Sequence, residues 1–184
     1  MKFRYPEVGI CGLSCRLCPR YHTEGASRCG GCKSEIRVSA GCPFITCAVK
    51  RKGIEFCWDC AESESCARWA EHRAFGRQRD TFTCYASLDG NIALIKRAGL
   101  DLFIEEQCAR EELLDEMLAH FNEGRSKTYY CIAATVLDLS ELRSALEDAR
   151  RSAGDLDVRE RSKTLHALLD AAASRCSIKL ALRK

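Results

Sequence analysis

From about residue 89 onward, apolar positions recur at helical spacing. Leu100, Phe103, Ile104, Leu113, Leu114, Met117, Leu118 and Phe121 fall at i, i+3 and i+4 intervals, which predicts a long helix over 100–121 stopped by Gly124. Its middle is weakly specified, with only Cys108 and Ala109 between two acidic runs. Upstream, Ile92, Leu94 and Ile95 predict a helix that starts with Asp89 as its cap and ends at Gly99. A further helix is expected over 61–78, capped by Ser63 or Ser65, with Trp69, Ala70 and Phe75 as its apolar surface and Cys66 in its first turns. The apolar run 128–137 fits a buried strand or a buried helix by periodicity, and we assign it as helix. Asp138 with Glu141 and Asp157 with Glu160 read as capping boxes for two more helices, to Arg151 before Gly154 and to about Ser174. The tail alternates Ile178, Leu180 and Leu182, as a short strand or a docked extension.

The first third of the chain has no such rhythm. Tyr5-Pro6 biases the entry toward extended backbone, and between Cys11 and Cys66 neither a helical nor a strand period is sustained. What recurs there is cysteine: ten of the chain's fourteen fall in this interval. The expected architecture is therefore mainly α. An irregular metal-stabilised module over 1–70 packs on a helical domain of four or five helices over 71–184. A segment of that size with so few large aliphatic residues needs a staple to bury enough surface.

The spacings define the staple. Cys11, Cys15 and Cys18 form C-x3-C-x2-C; Cys29 and Cys32 form C-x2-C; Cys42 and Cys47 form C-x4-C; Cys57 and Cys60 form C-x2-C; Cys66 follows alone. Residues 1–9 carry Lys2, Arg4, Pro6 and Glu7 with no apolar run behind them, and no stretch reaches the roughly 20 apolar residues of a membrane span. A cytoplasmic protein is expected, and in a reducing compartment clustered thiols favour metal ligation over disulfides. Zinc suits the set, because four thiolates at about 2.3 Å close a tetrahedral site. Ten ligands allow two four-cysteine sites with two cysteines over, or one binuclear site with one four-cysteine site, hence about two or three zinc ions. Sequential grouping puts Cys15, Cys18, Cys29 and Cys32 in one site and Cys47, Cys57, Cys60 and Cys66 in another, leaving Cys11 and Cys42 without a fixed place. A cross-braced arrangement would exchange pairs between the sites, and spacing alone does not decide against it. The alternative cofactor is an iron–sulfur cluster in redox or radical chemistry, for which C-x3-C-x2-C is a known holder. No βαβ series follows to build the barrel a radical enzyme needs.

Charge refines the picture only slightly. The net +3 conceals an excess of +5 in residues 1–80 (14 Lys and Arg against 9 Asp and Glu) and −2 in residues 81–184 (15 against 17). Lys50, Arg51 and Lys52 could serve as a phosphate-binding patch, but they read better as cations offsetting thiolates, since eight thiolates around two divalent ions carry about −4. The partner is left open, with a protein as one candidate; nucleic acid is disfavoured, and no membrane is expected.

Ten thiols leave no need for a histidine ligand, so His22 and His72 read as surface or packing residues, and His120 and His166 have no cysteine nearby in sequence. Cys84, Cys108, Cys131 and Cys176 read as small core residues. Cys131 follows Arg125, Lys127, Tyr129 and Tyr130, and a neighbouring cation would favour its thiolate; with no base or acid partner legible, packing is the preferred reading.

Taken together, CGLSCRLC at 11–18 with Pro19 and Tyr21, CGGCK at 29–33, CAVKRKGIEFCWDC at 47–60 and the single Cys66 resemble the microbial family catalogued as domain of unknown function 3795, described as zinc-binding. The likeness covers residues 8–70. NIALIKRAGL, the helix ending at Gly124 and GRSKTYYCIAA resemble the helical extension of some members more faintly. Trp58-Asp59 departs from the small or acidic residues more usual inside the last pair. The resemblance implies metal binding and carries no activity to any residue here. Closed all-cysteine sites leave no open position for substrate, so the module is expected to serve binding or structure rather than catalysis.

Overall fold

Leucine and alanine at helical spacing dictate the second half of the molecule. The computed structural model describes residues 3–184, and among them the regular structure is helical. Helix α5 (Leu100–His120) runs the length expected of it, followed by α6 (Lys127–Val136), α7 (Leu139–Ala153) and α8 (Val158–Arg175). Their buried faces meet in one core containing Leu114, Met117, Tyr130, Leu142, Leu146, Leu165 and Leu169. Alanines 133, 134, 145, 149, 172 and 173 share that core and let the helices approach closely. The run at 128–137 is a helix, as assigned.

The weak middle of α5 has a specific explanation. Arg110 is buried there because its Nη1 donates to the carbonyls of Ala134 (2.9 Å) and Leu137 (2.7 Å), closing the open C-terminal end of α6, while Glu106 one turn earlier accepts from the same guanidinium at 2.8 Å. A buried charge stands because its donors are met.

Capping follows sequence in one case and departs from it in others. Asp157 accepts from the Arg159 and Glu160 N–H groups at 2.8 and 2.9 Å and caps α8 as expected. Asp138 precedes α7 but makes no side-chain cap; Glu141 is drawn instead into an ion pair with Arg175 on α8. Helix α4 (Leu88–Ala98) begins before Asp89, whose carboxylate binds Arg73 and Arg77 at 2.7 and 2.6 Å. Helix α3 (Ala67–Gln78) starts at Ala67 rather than near 61, with Cys66 as its flanking residue, because Glu62 to Ser65 offer no apolar face and form turns.

Two short helices interrupt the cysteine-rich segment where none was expected: α1 (Glu35–Ala40) and α2 (Pro43–Ile45), the latter running into a π-helical turn over Thr46–Arg51. The proline at the first turn of α2 pre-sets helical φ. Six helices follow Cys66: α4 to α8 lie wholly within 71–184, and α3 (Ala67–Gln78) spans residue 70.

A second core joins the two parts. Val8, Phe56, Trp58 and Trp69 pack with Leu88, Ile92, Ile95 and Phe103 from α4 and α5, and Leu17 reaches into the helical core. Gly12 sits at this seam with φ +96°, where a Cβ would stand 3.0 Å from Ile92 and 3.2 Å from Trp58. A smaller cluster of Ile10, Ile45, Ala48 and Val49 underlies α2. The tail forms no strand. It docks: Leu180 is buried, and the Arg183 guanidinium binds Asp80 and the carbonyls of Gly76 and Arg77 at the end of α3, each within 2.8–3.0 Å.

Candidate metal centre

Tight turns place the cysteines in pairs. Cys15–Leu17 and Cys57–Asp59 are single 3-10 turns, each closed by a bond from the next cysteine (Cys18 N–H to Cys15 O, 3.2 Å; Cys60 N–H to Cys57 O, 3.3 Å). The two turns are thus equivalent C-x2-C loops. Gly31 has φ +91°, and a Cβ there would stand 3.5 Å from Cys15 Cβ, so glycine lets the Cys29–Cys32 loop lie against the first turn. There the Cys32 N–H donates to Cys15 Sγ at 3.3 Å.

All fourteen cysteines carry free thiols. Cys11, Cys15, Cys18, Cys29 and Cys32 line one cavity of about 90 Å³, walled also by Tyr21, Arg37, Phe82 and Tyr85. Cys47, Cys57, Cys60 and Cys66 line another of about 70 Å³, with Phe44, Lys52, Glu62 and Trp69. Cys42 lines neither and packs beside Ile10 and Ile45. As the side chains stand, no three His, Cys, Asp or Glu residues among those described form a set that could hold an ion.

The donor chemistry nevertheless suits a thiophilic ion. Each cavity offers sulfur ligands, and charge-compensating donors already point at sulfur. Lys52 Nζ lies 3.2 Å from Cys60 Sγ and 2.8 Å from Glu62. Lys50 and Arg51 beside it stay outside the cavity lining. The Cys15 thiol is held below its ordinary pKa by hydrogen bonds from Cys32, which is itself pushed up. Binding a cation would require the thiols of this pair to be deprotonated.

Lys33 is the residue sequence reasoning missed. Its side chain is fully buried, with Nζ donating to Tyr5 O at 2.8 Å, 3.4 Å from Glu55 and 4.1 Å from the Phe56 ring centroid. Burial pushes its pKa down, with Glu55 opposing. Its partners lie more than 20 residues away in sequence, so the residues next to Lys33 hold no sign of its role. Trp58 is also explained: it stacks on Phe56 at 4.3 Å and fills the second core, which is why an aromatic stands inside the last pair.

Neither His22 nor His72 lines a thiol cavity. His22 contacts the Arg16 carbonyl and Asp115 of α5, while His72 is enclosed by Phe44, Trp69 and Tyr85, its buried Nε2 without a partner. Cys131 is buried in the helical core and its pKa is pushed up to about 12, by burial first and then by Cys18, so it packs as a thiol. The run beginning at Arg125 enters α6 instead, where Ser126 Oγ lies 2.7 Å from both Glu123 and His166 Nε2, tying α6 to α8.

Compared with known proteins, the chain matches no family, no curated protein and no solved structure.

Proposed function

We propose that this chain is a zinc-binding protein whose cysteine-rich segment, residues 8–70, is held by closed thiolate sites that serve structure or binding rather than catalysis. The carrying observation is the distribution of thiols: nine of the ten clustered cysteines line two cavities, five in one and four in the other, all unoxidised. Four sulfurs suffice for a tetrahedral zinc site with no open position. When bound, the ion supplies folding free energy. The chain supplies the sulfur ligands, the backbone and Lys52 donors that stabilise their charge, and the aromatic walls that exclude water. The resemblance to the domain of unknown function 3795 family supports the same reading.

Elemental analysis and a visible spectrum of anaerobically purified protein test this. A colourless protein with about two or three zinc ions per chain is expected. Cys29→Ser or Cys60→Ser should lose metal and solubility, since each strands its partner in a C-x2-C loop. A brown protein containing iron and sulfide would replace the zinc reading with the iron–sulfur one.

A further inference from the structure

Two tetrahedral sites consume eight thiolates, and one of the surplus cysteines occupies a telling place. Cys11 is the fifth thiol of the first cavity. Gly9 lacks a Cβ where one would stand 3.6 Å from Cys11 Sγ and 3.8 Å from Cys15 Sγ, so both sulfurs border the same small space. The backbone carrying Cys11 is nevertheless bonded to the other group, because the Cys57 N–H donates to the carbonyl of Ile10 at 3.1 Å. Cys11, Cys57 and Cys66 also pack against one apolar cluster, the core that contains Phe56, Trp58 and Trp69.

Cys11 thus borders the first group while lying against the backbone and the core that carry the second.

We propose that Cys11 is a ligand shared by the two groups, its thiolate bridging a divalent thiophilic ion on each side so that the module holds one contiguous centre. This rests on the metal reading above. A thiolate keeps enough lone pairs to bind two ions, so Cys11 would take the fourth position of each tetrahedral site beside three thiolates of that site's own group, and seven thiolates rather than eight would be buried. Each ion would then depend on the other for one of its ligands.

The full chain loaded with cadmium-113 tests the idea by cadmium NMR. In the wild type, a scalar coupling between two cadmium signals through the shared sulfur is expected, a readout that needs no variant. Cys29→Ser should displace only the first group's signal and Cys66→Ser only the second's, whereas Cys11→Ser should displace both and abolish the coupling. Uncoupled signals, with Cys11→Ser moving at most one, would overturn the sharing and leave the metal reading standing. A chain that retains no cadmium would overturn both.

Discussion

The helical bundle of α5 to α8 and the cysteine-rich segment solve the same problem by opposite means. In the bundle each helix brings its own apolar face, and Leu114, Leu142, Leu146, Leu165 and Leu169 are wholly enclosed by one another and by small alanines. In the cysteine-rich segment large side chains are few: Val8, Phe56 and Trp58 are buried mainly because α3, α4 and α5 provide the other side of their core, and Ile10, Ile45 and Val49 make only a small cluster of their own. The bundle is self-sufficient by hydrophobic burial. The other region depends on a docking surface, on hydrogen bonds to sulfur and, by our reading, on metal.

The largest test of that contrast is metal removal. A strong chelator should unfold residues up to about 70 while most of the helical circular dichroism survives, because structural zinc is folding free energy for the segment that holds it. Loss of the whole fold at once would mean that the shared core makes a single cooperative unit. The converse perturbation is Leu146→Ala, which empties a fully buried site in the bundle. It should cost about 2–5 kcal/mol in denaturant unfolding and leave the metal content of the folded protein unchanged.

A smaller effect comes from acid. Burial pushes His166 below its ordinary pKa, against the pull of Glu123 and Asp170, so the unfolded chain takes up a proton that the fold resists. This contribution to stability is fully present above the unfolded value of about 6.5 and is lost as pH falls below it through the lower folded value. His166→Gln should flatten the acid limb of the bundle's stability profile below about pH 6.5. An unchanged limb would mean that the network joining Ser126, Glu123 and Ser162 contributes no linkage. Smallest of all, Cys84→Ser and Cys176→Ser should leave the metal count as it is, since neither lines a thiol cavity. A loss of metal from either would break the division between the two regions.

The same contrast decides what could be read from residues alone. Helices α5 to α8 were legible because a period of 3.6 is a local property, and Asp157 was legible because a cap acts within one turn. Arg110 was not, since its reason for being buried is the carbonyl end of a helix more than 20 residues further on. Lys33 hides in the same way, its carbonyl, carboxylate and ring partners all being distant in sequence. In the cysteine segment the paired turns of Cys15 with Cys18 and of Cys57 with Cys60 are written in the spacing. Which loop faces which, and the position of Cys11 between them, depends on packing against Trp58, Trp69 and α4 that no spacing encodes.

The clamp between Arg183 and Asp80 joins residues 103 positions apart, and Asp80 lies with its side chain entirely out of solvent. Closing so long a loop carries a heavy entropic cost that is recovered only once both ends are already near one another. By that argument the clamp should be among the last contacts to form, so Arg183→Ala should speed unfolding more than it slows folding. Interactions absent from the transition state govern how fast a native protein opens rather than how fast it forms. In that sense the tail acts on the molecule's lifetime: it slows the peeling of α3 from the rest of the fold.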